Sequence, residues 1–169
     1  TARSERDQTS DDELEQARTL GIESFLGAGD AVEKSTPYHA WRPIFGQLLD
    51  WDLNHDSGVR QNTLLKLGLD AAALQLVPLL DAVLPLELPD SEVTHQMTGQ
   101  VRADNTRDFL LRLLGAAAAQ TPKLVVLEDA HWLDTASWAL ALLLSQRVKS
   151  VLLVVTTRPL AEPQPSEYG

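Results

Sequence analysis

The chain has 169 residues, of which 24 are acidic and 14 basic, so its formal net charge is −10. Such a surface repels phosphate backbones, and the lysines and arginines are scattered rather than gathered in a patch, so direct nucleic-acid binding is not expected. Cysteine is absent, which excludes disulfides, thiolate metal sites and cysteine nucleophiles and fits a reducing, cytoplasmic setting, and no apolar run reaches the ~18 residues of a membrane span.

Thr1 to Asp12 contain no aliphatic residue larger than alanine and read as a polar tail. Ser10 and Glu13 have capping-box spacing for a helix ending near Leu20, with Gly21 as its stop. Ile22 to Leu26 reads as a strand that enters the loop Gly27-Ala28-Gly29-Asp30. Tyr38, Trp41, Phe45, Leu48 and Leu49 then recur at helical spacing, which predicts a helix over Tyr38–Asp50 with Pro43 in its first turns. Asp52–Gly58 is turn material, and helices are expected over Val59–Leu67 and Ala71–Leu80. Leu84–Pro89 is bracketed by prolines, and Asp104–Gln120 carries Phe109, Leu110, Leu113, Leu114 and Ala117 on one helical face.

Two continuous apolar runs follow. Leu124–Leu127 ends in Glu128-Asp129, and Val151–Val155 ends in Thr156-Thr157-Arg158-Pro159, with a helix expected over Thr135–Lys149 between them. Neither run alternates with polar residues, so both are expected to be buried on both faces of a parallel sheet. The class is therefore α/β, with the two runs adjacent and parallel in a right-handed βαβ unit.

In an open parallel sheet, ligands bind beyond the carboxyl ends of the strands. Glu128 and Asp129 stand at such an end. Mg²⁺ takes oxygen ligands and keeps much of its water, so one or two carboxylates beside a phosphate suffice to hold it. The plainer reading, a helix cap or a solvated loop after a core strand, is equally open from spacing alone. Arg158 with Thr156 and Thr157 can meet a terminal phosphate, or Arg158 can simply pair with surface acids. His131 is read as a structural residue, Trp132 and Trp138 as packing helix onto sheet, and Asp134 as the cap of the following helix. Glu33, Lys34 and Tyr38 lie in the loop beyond the first strand and read as solvated surface. His39, His55 and His95 are dispersed and carry no zinc spacing, and no G-x-S-x-G elbow occurs.

Taken together, Leu124-Val-Val-Leu-Glu-Asp-Ala-His-Trp-Leu-Asp134 resembles the Walker B segment of the signal-transduction ATPases with numerous domains, the STAND class of P-loop NTPases. Thr156-Thr-Arg-Pro159 resembles their sensor 1 strand end. Gly27 to Pro43, Leu84 to Pro89, Met97 to Gly99, Arg102 and Asn105-Thr106 resemble the ATPase module attached to class III adenylyl or guanylyl cyclases. The likeness spans about Gly21 to Pro159.

The resemblance implies a partial P-loop fold of the additional-strand type, a three-layer αβα arrangement. In that class the sheet order is 5-1-4-3-2; Ile22–Leu26, Leu124–Leu127 and Val151–Val155 match strands 2, 3 and 4. This chain is then expected to keep the order 4-3-2, with Val151–Val155 as a bare edge and a tendency to self-associate. A single partial ATPase domain over 1–169 follows: a tail over 1–12, a strand and loop over 21–37, a helical insertion over 38–103, a helix–strand–helix–strand unit over 104–159 and a tail over 160–169. The resemblance further implies ATP and Mg²⁺ as cofactors, Glu128 as the metal-associated acid, through water because Glu is longer than the usual Asp, and Asp129 as the acid nearest the attacking water. It makes Arg158 the sensor arginine, with Thr156 and Thr157 beside the nucleotide, and other domains of the same protein the partners, with no membrane. The Walker A loop G-x-x-x-x-G-K-[ST] is missing, since Thr1 to Ser10 contain neither Gly nor Lys. The sequence is therefore expected to start inside or after that loop, and the chain alone to be inactive. The alternative is a nucleotide-free regulatory or scaffolding domain on the same fold.

Overall fold

The computed structural model describes residues 2–50 and 64–158, with side chains from Asp11 onward. The elements are α1 (Ala2–Thr19), β1 (Glu23–Ala28), α2 (Arg42–Leu48), α3 (Ala71–Leu74), α4 (Glu92–His95), α5 (Gly99–Gln120), β2 (Lys123–Glu128), α6 (Thr135–Arg147) and β3 (Val151–Val155), with short 3-10 turns at His39–Trp41, Val77–Ala82 and Ala130–Trp132. The expected turn over Asp52–Gly58, His55, Pro159 and the tail over 160–169 lie outside the described residues. Of the helix expected over Val59–Leu67, residues 64–66 are helical and 59–63 lie outside the described residues.

The three strands form one parallel sheet in the order β1-β2-β3. Glu23 to Ala28 run beside Lys123 to Glu128, and Lys123 to Leu127 run beside Val151 to Val155. The strand order expected from sequence is therefore the one observed. The sheet is α/β, with helices on both faces. Val125 and Leu127 of β2 point into the main core with Phe25, Ile44, Phe45, Leu110, Leu113, Leu140 and Leu144. Leu124 and Val126 point the other way, onto Ala17 of α1, with Leu14, Ile22 and Val154 around them. This alternation follows from the period of two along a strand.

Several expectations are corrected. The polar lead-in is not a tail, because α1 already runs from Ala2, and the capping box at Ser10 falls inside the helix rather than at its start. One apolar edge, carrying Leu14 and Ala17, suffices to dock a polar helix on the sheet, which explains how so polar a segment finds a place. Gly21 does end the turn after α1, at φ +71°. The helix expected over Ala71–Leu80 breaks into α3 and a 3-10 turn at Val77, because Pro78 cannot donate to a continuing α-helix. α5 begins five residues earlier than Asp104, at Gly99. The largest correction concerns β3. Leu152 is 65 % exposed and Val155 is also exposed, so this strand is not buried on both faces as its composition suggested.

The two outer strands differ in how their edges are finished. Gln47 Nε2 of α2 donates to the Ser24 carbonyl on the open side of β1 at 3.3 Å. Gly27 lets α2's approach run close: a Cβ there would stand 2.0 Å from the Ala40 carbonyl oxygen. Lys123, buried at the start of β2, pairs with Glu23 at the start of β1.

Candidate functional site at the carboxyl ends of the strands

The three strand ends are joined by backbone hydrogen bonds that run past the strands themselves. Gly29 N–H donates to the Glu128 carbonyl at 2.9 Å, Thr156 N–H to the Leu127 carbonyl at 2.9 Å, and Ala130 N–H to the Thr156 carbonyl at 2.9 Å. Glu128 and Asp129 thus sit between the Gly29 loop on one side and Thr156 on the other. Every site residue taken from the two apolar runs, Glu128, Asp129, Thr156, Thr157 and Arg158, lies on this one edge of the sheet.

Asp129 adopts a left-handed conformation, φ 47° and ψ 42°. That region costs a non-glycine residue energy, and Asp is among the side chains that tolerate it best. The kink turns the chain from β2 into the 3-10 turn Ala130–Trp132, closed by Trp132 N–H to the Asp129 carbonyl at 2.9 Å. Gly29 packs against this turn: a Cβ there would come within 2.5 Å of the Asp129 carbonyl oxygen. The Gly-Ala-Gly run, read from sequence only as a loop, is thus a pair of close approaches. Gly27 meets the segment before α2, and Gly29 meets the acidic turn.

Glu128 is half-buried and Asp129 exposed, while Thr156 is half-buried and Thr157 and Arg158 are exposed. Among the described residues, no ion pair engages Glu128, Asp129 or Arg158. The two acids are therefore open to a cation from solvent. No group of three or more His, Asp or Glu side chains converges as a metal site among the described residues. A pair of carboxylates at a strand end fits Mg²⁺ bound mainly through water and phosphate, and does not fit a metal that needs an all-protein cage.

The loop after β1 folds over the same edge. The Asp30 carboxylate accepts from Val32 N–H at 2.7 Å and Glu33 N–H at 3.3 Å, which makes the first turn of the loop. Glu33 accepts from the Thr36 hydroxyl at 2.5 Å. Lys34 is not simply solvated: its Nζ stands 5.9 Å from the centre of the Trp132 ring. His131 lies 5.0 Å from Trp132, ring centre to ring centre, and both of its ring nitrogens are shielded from solvent with no hydrogen-bond partner among the described residues. An imidazole left this way carries an unmet donor and an unmet acceptor, which a bound polar group would satisfy.

Asp134 caps α6 as expected, accepting from Ser137 N–H at 2.9 Å and the Ser137 hydroxyl at 2.5 Å. Trp138 does not pack helix onto sheet: it is 44 % exposed. The tryptophan that performs that role is Trp41, fully buried, whose Nε1 donates to the Ser137 carbonyl at 3.3 Å. Tyr38 is also buried, with φ +59°, where the sequence suggested a solvated position. Burial pushes its phenol above the usual tyrosine value, with the Arg107 charge opposing the shift and Asp134 adding to it. Both aromatic residues sit at the junction of the loop, α5 and α6, Tyr38 left-handed just ahead of the 3-10 turn and Trp41 at the start of α2.

Comparison of the chain with protein-family models, with curated proteins and with solved structures gives no match.

Proposed function

We propose that this chain carries the metal-binding and phosphate-sensing part of a nucleotide-dependent regulatory module, of the kind found in signal-transduction ATPases and tied to a nucleotide cyclase or a transcriptional regulator. The observation that supports this reading is the meeting of Glu128-Asp129 and Thr156-Thr157-Arg158 on the carboxyl edge of one parallel sheet. Parallel sheets place ligands at that edge because the strand ends and the loops that follow them leave a crevice there.

In this reading Glu128 and Asp129 would hold Mg²⁺, and Thr156, Thr157 and Arg158 would face the terminal phosphate of ATP. Mg²⁺, when bound, neutralises charge on the phosphates. The chain's own residues do the rest. Asp129, exposed and left-handed at the strand end, would accept a proton from an attacking water. Glu128, half-buried and with its carbonyl held by Gly29 N–H, would orient the hydrated cation. Arg158 offers a planar pair of donors to a phosphate oxygen. Lys34 and Trp132 close the side of the site toward the Gly29 loop. The phosphate cradle would come from residues outside this sequence, so the chain alone would bind ATP weakly and turn over none of it.

A second reading is favoured by one observation. The segment ahead of β1 is the helix α1, which contains no Gly-rich loop. A domain without a cradle can keep the fold and serve as a nucleotide-free regulatory or scaffolding unit. Calorimetric titration with ATP separates the two. The first reading expects weak heat that depends on Mg²⁺ and disappears in Glu128→Gln/Asp129→Asn. No heat with or without Mg²⁺, or heat unchanged in the double variant, supports the second.

A further inference from the structure

Resting on the metal–phosphate reading above, we propose that His131 is a further ligand-binding residue of the same site, whose ring exchanges hydrogen bonds with a hydroxyl or water of the bound Mg²⁺–nucleotide. His131 lies two residues past Asp129, in the 3-10 turn Ala130–Trp132. That turn is fixed between its two neighbours: Ala130 N–H donates to the Thr156 carbonyl, and Gly29 packs against Asp129 and Trp132. The backbone of His131 therefore belongs to the same edge as Glu128, Asp129 and Thr156.

Both ring nitrogens of His131 are shielded from solvent, and neither has a hydrogen-bond partner among the described residues. The other shielded polar atoms without partners occur singly: one nitrogen each of His39, Arg42 and Arg107, and one oxygen of Glu13. Arg107 keeps a guanidinium bond to Asp104, and His39 Nδ1 has the Glu33 carboxylate 3.9 Å away. Among the described side chains His131 alone has both of its polar atoms in this state. Polar atoms buried in this way cost stability. The ring packs 5.0 Å from Trp132, tilted by 46°, a contact that a phenyl ring makes without that cost. Packing therefore does not account for an imidazole here, and costs of this kind gather where a chain binds something.

An imidazole offers one N–H donor and one acceptor nitrogen, so an O–H group, which both donates and accepts, can satisfy either. Two sources of such a group come with the nucleotide: water on the Mg²⁺ that Glu128 and Asp129 would hold, and a ribose hydroxyl. The shielded nitrogens are reached by a shift of the turn, and two features ease that shift. Asp129 at the head of the turn is left-handed, at φ 47°, a costly conformation that a change of backbone relieves. The loop beside it is bonded largely to itself, through Asp30 to Val32 and Glu33 and through Glu33 to Thr36. Its cation Lys34 meets the turn at long range, 5.9 Å from the Trp132 ring centre. Ligand binding then moves the turn, and Trp132 with it.

NMR of the intact 169-residue chain tests this. Long-range proton–nitrogen spectra follow the imidazole nitrogens, and the His131 signals are identified by their loss in His131→Gln. The chain is titrated with Mg²⁺ and ATP and, separately, with Mg²⁺ and inorganic tripolyphosphate. The His131 nitrogens and the Trp132 indole are expected to shift along the same binding curve as the amides of Glu128, Asp129 and Thr156 to Arg158. Movement with both probes assigns the partner to water on the cation, and movement with ATP alone assigns it to the ribose. His131→Phe keeps a ring against Trp132 and removes both polar atoms, so it is expected to weaken Mg²⁺–ATP binding about three- to tenfold. His131→Gln keeps a donor and an acceptor and is expected to bind within about twofold of the original chain. Three results would overturn this proposal and leave the metal–phosphate reading standing: His131 nitrogens that stay still while the strand-end amides move, His131→Phe binding as tightly as the original chain, or equal losses in the two variants. Strand-end amides that never move would overturn both.

Discussion

β2 and β3 are built from nearly the same residues and live in different surroundings. Leu124-Val-Val-Leu is buried throughout, between α1 on one face and α5 and α6 on the other. Among the described residues Val151-Leu-Leu-Val-Val has a strand beside it on one side only, and its Leu152 is exposed. Two-sided apolar composition thus identifies a strand of a covered parallel sheet, but the position of that strand in the sheet is set by what stands beside it. Both strands nevertheless end in polar residues at the same edge, so the difference in burial does not disturb the site.

The largest expected effect contrasts the two strands at one kind of substitution. Leu127→Ala should cost about 2–5 kcal/mol, because it removes a fully buried side chain and leaves a cavity. Leu152→Ala should change stability by no more than about 0.5 kcal/mol in the monomer. Urea unfolding of both variants at low protein concentration measures the pair, and equal losses would mean that β3 is covered after all.

A somewhat smaller effect is expected at the β1 end. Gly29→Ala forces a Cβ toward the Asp129 carbonyl, and Gly27→Ala forces one toward the Ala40 carbonyl. Each should cost about 1–3 kcal/mol, since backbone must move. The Gly29 variant should also shift the amide resonances of Asp129 to Trp132, which the Gly27 variant should leave in place. Asp134→Ala, which strips the cap from the helix joining the two strands, should cost about 1 kcal/mol by the same unfolding measurement.

The smallest effect is a dependence on pH. The Tyr38 phenol is raised in the folded chain, chiefly by burial, so the folded state keeps its proton at pH values where the unfolded state has lost it. Stability from this group is therefore intact below pH ~10 and declines as pH rises beyond it. Asp90, held low mainly by the Arg102 guanidinium, acts in the other direction: its contribution is present above the usual carboxylate range and is lost as pH falls through its lowered value. Tyr38→Phe should flatten the alkaline limb of a stability–pH curve, and an unchanged limb would contradict the assignment.

Much of this structure was legible in the sequence for identifiable reasons. The apolar runs of β2 and β3 and their polar endings gave strand identity, parallel direction and the shared edge. The Asp134 cap followed from the residue type ahead of an apolar helical run. The misses have physical causes as well. α1 is polar along most of its length, and only a narrow stripe through Leu14 and Ala17 tells it from a tail. The 3-10 turn at Val77 came from Pro78, which a count of apolar spacing passes over. Trp138 turned out exposed because helical spacing says which residues share a face and not which face meets the sheet. The bare edge at β3 was expected from the strand order of the resemblance, but the exposure of Leu152 was not, since composition does not say how far the helices cover a strand's face. At the site, the left-handed turn of Asp129 and the contact with Gly29 arise from tertiary packing, which the motif alone does not contain.

The central claim is that the carboxyl edge of this sheet is the binding edge. Amide-resolved NMR of the chain, titrated with ATP in the presence and absence of Mg²⁺, addresses it most directly. The account predicts Mg²⁺-dependent shifts at Glu128, Asp129 and Thr156 to Arg158, with smaller ones at Gly29 and Trp132. Shifts confined to the opposite edge, at Lys123, Lys149 and Ser150, or no shifts at any ATP concentration, would contradict it.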